Sequence, residues 1–205
     1  MIRIKALAGL VDKDTKLVDI GTDHALLPIY LYENNITRNI VGSDISSNAL
    51  EFAKNNLLKH NLDNKIKLVV SDGFKNLDEK FDTAVISGMG TDTIKKILDI
   101  NDLPNKLIIS SHKNVHELRI FMQKKGYKIV EEITLKENNI FYDIIKYEKG
   151  KEVLNNFDIL VGKSNNEEYR KYILEKYKLI YAKSKNEKYL KYIEVIEKTQ
   201  DLKNL

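Results

Sequence analysis

The residues best placed to do chemistry are acidic and stand one after another where apolar runs end. The first group is Val18-Asp19-Ile20-Gly21-Thr22-Asp23-His24, where a glycine follows a strand-like run and precedes a helix-like one. Glycine there lets the backbone turn tightly and approach a ligand closely. The string is not the dinucleotide fingerprint G-x-G-x-x-G, because Asp23 and Leu26 occupy its second and third glycine positions. A pyrophosphate would meet the Asp23 carboxylate in place of bare amides. A ligand with an ammonium group and no phosphates, such as the methionine end of S-adenosylmethionine, is favoured by Asp19 and Asp23 instead. That contrast argues against a nicotinamide oxidoreductase.

Further along, Val41-Gly42-Ser43-Asp44 ends a second run with a carboxylate that can accept both hydroxyl protons of a ribose, with Ile45 beside it. Ser71-Asp72-Gly73-Phe74 closes a third, where Asp72 can accept from an adenine amino group and Phe74 or a neighbour can pack on the ring. Ser87-Gly88-Met89-Gly90 closes a fourth, a compact loop beside the group to be transferred, where a flat base could slide in. Each has a plainer reading: Asp44 as a helix N-cap before Ile45-Ser46, and Asp72-Gly73 as an ordinary turn. Their order at successive strand ends points to a class I methyltransferase.

The elements that must hold these groups follow from periodicity. Helices are expected over 2–11, 25–35, 46–60, 91–100 and 113–125, and strands over 16–20, 39–44, 65–70, 83–87 and 106–110. Segments 127–135 and 140–147, joined by Lys-Glu-Asn-Asn, read as a closing antiparallel hairpin. The expected fold is therefore α/β, Rossmann-like, with seven strands. After Gly162 the pattern turns helical, with Ser164-Asn165-Asn166-Glu167 as a capping box and helices over about 166–183 and from Tyr189 onward. These read as a C-terminal α-helical hairpin, a short antiparallel coiled coil. Its core-facing tyrosines should pack with their hydroxyls at the rim.

At this point the sequence resembles a known family, the bacterial tRNA (adenine-22-N1)-methyltransferases. The resemblance rests on Asp19-Ile20-Gly21-Thr22-Asp23-His24-Ala25 followed by Leu27-Pro28, on Gly88-Met89-Gly90, on Arg3, and on Tyr142-Asp143 where the family tends to have Tyr-Glu. It departs at Ser110-Ser111-His112, where the family tends to have Gln-Pro-Asn, and at Ile140, where a lysine is usual. The resemblance implies methyl transfer from S-adenosylmethionine to N1 of adenine 22 in the D-arm region of tRNA. The implied donor site comprises Asp19, Gly21, Thr22, Asp23, Asp44, Ile45, Asp72, Gly73, Ser87 and Gly88, and the reaction is expected around Asp23, His24, Gly88 and Met89. Arg3 is expected on a phosphate or a surface carboxylate, and Tyr142 on the target base or at the sheet edge. His24 could instead cap its helix, and no metal is expected, because His60, His112 and His116 lie at no ligand spacing with it. N1 of adenine has its own lone pair, so the enzyme's task is to extrude the base and align it with the methyl group.

Composition sets the bounds. With 205 residues, 42% hydrophobic and 31% charged, the chain is long and apolar enough for one α/β domain with a small appendage. Having no cysteine excludes thiolate metal sites, disulfides and a cysteine nucleophile, and fits a cytoplasmic location. No run of roughly 18 apolar residues and no signal-like start indicate a membrane or export. Residues 1–150 carry 22 Lys and Arg against 21 Asp and Glu, whereas 151–205 carry 12 against 9 and six of the eleven tyrosines. The expected division is therefore a donor-binding domain over 1–150 and a tRNA-binding hairpin over 151–205. Lys171, Lys178 and Lys185 recur every seven residues as a stripe that could track phosphates or form a solvated face. A monomer is the plainer expectation. The alternatives are a methyltransferase of the same fold acting on another RNA, and a non-catalytic RNA-binding protein that keeps the donor pocket.

Overall fold

The structure, a computed structural model, describes residues 2–201. Strands and helices alternate from the start: α1 (Ile2–Gly9), β1 (Leu17–Ile20), α2 (Leu26–Glu33), β2 (Ile40–Asp44), α3 (Ser47–Lys59), β3 (Lys67–Val70), β4 (Thr83–Ile86), α4 (Thr91–Ile97), β5 (Lys106–Ser111) and α5 (Val115–Lys124). A hairpin of β6 (Tyr127–Glu137) and β7 (Ile140–Lys149) follows, then α6 (Asn156–Leu160), α7 (Glu167–Ser184) and α8 (Glu187–Asp201). The strands form one sheet in the order β3-β2-β1-β4-β5-β7-β6. β1 to β5 are mutually parallel, and β7 runs antiparallel to both neighbours. Connections diverge between β1 and β4, and open α/β sheets bind ligands beyond the strand ends at such a point.

Strands covered on both faces need apolar residues in both directions. Leu17, Val85, Ile108 and Ile144 face a layer containing Leu7, Leu31 and Leu57. Their neighbours Val18, Ile86, Ile109 and Ile145 face Ile94, Leu118 and Met122. A third cluster joins the hairpin to the sheet: Phe141 of β7 packs with Leu160, Tyr169, Ile173, Tyr177, Ile193 and Ile196.

Several local expectations are corrected. The hairpin turn is only Asn138-Asn139, with φ of 50° and 62°, because Lys136 and Glu137 still pair with Phe141 and Ile140. Two positive φ values fit a tight two-residue turn, and asparagine tolerates them well. Ser164 does not cap α7; its hydroxyl bonds Thr134 on β6, and Asn166 Oδ1 accepts from Tyr169 N at 2.9 Å in its place. The five-residue α6 was not anticipated, being too short to show periodicity.

The root of the hairpin is a buried ion cluster. Arg119 of α5 is wholly buried and donates to Glu132 through Nε and Nη2 and to the Ile159 carbonyl through Nη1. Its Nη2 is also 3.4 Å from Asp143 Oδ2. Asp143 accepts from Thr134 and from the Tyr169 hydroxyl, both at 2.6 Å. The Tyr169 hydroxyl is therefore interior, not at the rim as expected. Gly162 has φ of 92°, and a Cβ there would lie 2.5 Å from Arg119 Nη2, so the chain passes this cluster only as glycine. Among the described residues no helix is long and apolar enough to cross a membrane.

Candidate functional site

The end of β1 turns through Gly21, whose N–H, like that of Thr22, donates to the Ser43 carbonyl on β2. The turn leaves the sheet with Gly21 at φ of 76°, and Asp23 and Ala25 at 49° and 54° on either side of His24. A left-handed non-glycine residue costs on the order of 1–2 kcal/mol, so this loop stores strain beside the strand ends. Asp44 holds it in place. Its Oδ2 accepts from Asp23 N at 3.3 Å and its Oδ1 from Ser46 N at 2.9 Å. Helix α3 is capped by the Ser46 hydroxyl, which accepts from Ala49 N, so the capping reading of Asp44 does not hold.

Two cavities meet at this point. One of about 260 Å³ is lined by Arg3, Ile4 and Leu7 of α1, Asp19, the Gly21–His24 loop and Ser87-Gly88-Met89. The other, of about 370 Å³, is lined by Asp44-Ile45, Ser71–Lys75, and Thr93, Lys96 and Ile97 of α4. Gly21, Asp44 and Met89 border both. A larger hollow of about 710 Å³ lies among the α6–α7 linker and the helices of the tail, away from the strand ends.

The first cavity is acidic. Asp19 is buried, and the loss of solvent pushes its pKa up to about 6, with the Asp44 carboxylate adding to the rise. Thr22 Oγ1 is itself buried and makes no hydrogen bond among the described residues. A cationic ligand entering here would stabilise the Asp19 carboxylate and could offer the Thr22 hydroxyl a partner. The Met89 methyl lies 2.1 Å from where a Cβ on Gly21 would stand, so any side chain at residue 21 would push the end of Met89 aside. In the second cavity Asp72 Oδ2 is paired with Lys75 Nζ at 2.5 Å, leaving its other oxygen for a ligand.

The expected donor residues Asp19, Gly21, Thr22, Asp23, Asp44, Ile45, Asp72, Gly73, Ser87 and Gly88 thus line one double cleft, with Met89 at its centre. His24 is exposed, 3.5 Å from Asp23 and tilted against Phe52. Arg3 lies 4.7 Å from the centroid of the Tyr142 ring, at the α1 side of the cleft. Lys171, Lys178 and Lys185 are all exposed, and Lys178 also reaches Glu197 of α8 at 3.1 Å and Glu175 at 3.7 Å. Sequence reasoning missed the wall formed by Thr93, Lys96 and Ile97; their helical spacing after Gly90 was the available signal. Among the described residues no three His, Cys, Asp or Glu side chains gather as a metal ion requires.

This geometry agrees with the comparisons. Residues 1–145 match the family model for a methyltransferase domain. The chain belongs to the methyltransferase-domain family. This methyltransferase is 38% identical over 153 residues to MG248 of Mycoplasma genitalium, named as a candidate tRNA methyltransferase, covering 72% of this chain and 69% of that one. It is 27% identical to the tRNA (adenine(22)-N(1))-methyltransferase of Bacillus subtilis, over 72% of this chain and 64% of that one. Its fold matches M. capricolum TrmK, solved with S-adenosylhomocysteine, with a TM-score of 0.84 and 30% identity, over 98% of this chain and 96% of that one. The methyl donor of this methyltransferase is S-adenosylmethionine.

Proposed function

We propose that this methyltransferase methylates N1 of adenine 22 in the D-arm region of tRNA, acting in the cytoplasm as a monomer. The observation that carries the reading is the fold match to TrmK over nearly the whole chain, hairpin included. The name of the B. subtilis relative supplies the position. S-adenosylmethionine brings a methyl group on a sulfonium, ready for attack by a ring nitrogen. Asp44 receives the ribose hydroxyls, and Asp19 with the Asp23 loop receives the cationic methionine end. The second cavity, between Asp72, Phe74 and Ile97, receives the adenine of the donor.

A donor held in this way would present its methyl group on the side of Ser87-Gly88-Met89 and α1, where Arg3 and Tyr142 would receive an extruded base. No general base is needed before attack, because N1 already carries a lone pair. His24 and Asp23 flank the entrance and hold the loop against α3. Fixing the attacking nitrogen, methyl carbon and sulfur in line contributes roughly 7–11 kcal/mol of the barrier in well-oriented systems. The exposed lysines Lys171 of α7 and Lys185, in the turn after it, contact phosphates, and the hairpin over 151–205 is the tRNA-binding part.

The test incubates the full chain with labelled S-adenosylmethionine and unmodified tRNA transcripts, with and without replacement of the D-arm adenine. Label confined to transcripts carrying that adenine is expected. No label on any tRNA refutes the reading, and equal label after replacement refutes the position while leaving the enzyme class.

A further inference from the structure

One side chain at the base end of the cleft has no part in donor binding. Ser87-Gly88-Met89 leaves β4 directly after Ile86, and Ser110–His112 continues from Ile109, the β5 partner of Ile86. On the other side of β5, Ser110 and Ser111 pair with Ile144 and Asp143 of β7. β5 lies between β4 and β7, so His112, just past its end, stands between the strand that feeds the Ser87-Gly88-Met89 loop and the strand that carries Tyr142. Strand alternation puts it on the same face as Ile108 and Ile144, the face roofed by α1. Its ring centroid is 5.6 Å from that of Tyr142, with the planes tilted by 59°. Arg3 approaches the same tyrosine at 4.7 Å and also lines the donor cavity.

Three groups thus meet beside the donor cavity: a guanidinium, a phenol ring and an imidazole. The strand end carrying His112 is fixed, because the Ser111 hydroxyl bonds Thr91 Oγ1 at 3.0 Å and the Lys113 carbonyl at 3.3 Å. The imidazole itself hydrogen-bonds no group among the described residues. Partial burial, with Lys113 and Arg3 adding repulsion, holds its pKa below the ordinary 6.5. A neutral imidazole offers one nitrogen as donor and the other as acceptor.

We propose that a ring nitrogen of His112 accepts a hydrogen bond from the exocyclic amino group of the target adenine while the base lies against Tyr142. This rests on the adenine reading above and adds the group that recognises the base. Its effect falls mainly on the rate. As N1 takes the methyl group the ring becomes cationic, and the amino group becomes a stronger donor. The bond is then worth more in the transition state than in the bound substrate, which raises kcat more than it lowers KM.

The experiment pairs two proteins with two substrates. The native chain and His112→Phe are assayed on tRNA transcripts carrying either adenine or unsubstituted purine at the target position, with S-adenosylmethionine titrated separately. The native chain should prefer adenine by more than about tenfold in kcat/KM, one factor of about ten being the hydrogen bond to a group gaining charge and the rest the weaker N1 nucleophile of purine. His112→Phe should lower that preference by about tenfold, keeping only the part that the amino group gives by feeding electron density into N1, lose its activity on adenine through kcat, and bind the donor as the native chain does. His112→Asn, which keeps an acceptor, should recover part of the preference, and serves as the test if the phenylalanine variant does not fold. An adenine-to-purine ratio unchanged by His112→Phe, or near one in the native chain, overturns the proposal with the tRNA reading intact. No methylation of any transcript by the native chain overturns both.

Discussion

Replacing Arg119 by methionine tests how the hairpin is held. The guanidinium is fully buried against Glu132 and Asp143, whose side chains are also 0% and 1% exposed. Methionine fills a similar volume but leaves two interior carboxylates without a cation. Breaking a buried pair from one side costs about 3–5 kcal/mol. Tyr169→Phe removes one hydrogen bond from Asp143 and leaves the cation, a loss of about 1.5–3 kcal/mol. At roughly 2–4 °C per kcal/mol for a chain of this size, Tm should fall by about 6–20 °C for the first variant and about 3–12 °C for the second. Burial already raises the pKa of Asp143 above the ordinary 3.8 despite Arg119 beside it. Without Arg119 it rises further. A carboxyl whose folded pKa exceeds its unfolded one destabilises the fold once ionised, so the deficit of Arg119→Met must shrink as pH falls from 7.5 toward 5. Urea titrations followed by circular dichroism at both pH values measure this. A loss below about 1 kcal/mol at pH 7.5, or a deficit that does not depend on pH, would refute the reasoning.

Asp44→Ala removes the acceptor for Asp23 N and Ser46 N together with the proposed ribose contact, and should weaken S-adenosylmethionine binding by about 10–100-fold in a calorimetric titration; a change under twofold rules the role out. Burial pushes the Asp19 pKa up to about 6, so if the cationic end of the donor lies against its carboxylate as proposed, donor affinity should rise about tenfold between pH 5 and 7 and flatten in Asp19→Asn. Gly21→Ala should cost donor affinity and about 1–2 kcal/mol of stability through its positive φ and the Met89 methyl, whereas Gly88→Ala, with open space around it, should show the backbone cost alone. For tRNA binding, neutralising Lys171 and Lys185 together should lower the slope of log affinity against log salt by about 2, while Lys178→Gln, already paired with glutamates, changes it less. A slope unchanged by the double substitution removes the hairpin stripe from the interface.

Strand ends were legible in the sequence because each couples an apolar run to an abrupt polar residue, and that transition is local. Asp19, Asp44 and Asp72 could therefore be placed in order along one cleft. The hairpin of α7 and α8 was legible for the same reason, from apolar spacing broken at Ser184-Lys185-Asn186. What joins distant residues was not. Arg119 looks like any helical arginine until Glu132 and Asp143 arrive from two other strands, and α6 is too short for a period. The meeting of His112 with Tyr142 depends on strand order, which a run of residues does not encode. Ser164 was misassigned as a cap because capping patterns ignore competition, and Thr134 offered its hydroxyl a tertiary partner.

Tyr142 occupies an unusual position in the chain's connectivity. Its two covalent neighbours both belong to the root of the hairpin, Phe141 through its rings against Tyr169 and Tyr172, and Asp143 through Arg119 and the Tyr169 hydroxyl. Its own ring faces the other way, toward Arg3 and His112. Under the proposed function, a load that tRNA places on α7 passes through Tyr169 to Phe141 and Asp143, the two covalent neighbours of the residue proposed to hold the base. Free energies of RNA binding measured for hairpin variants and for Tyr142 variants therefore belong to one coupled system, and their sum will differ from the double variant.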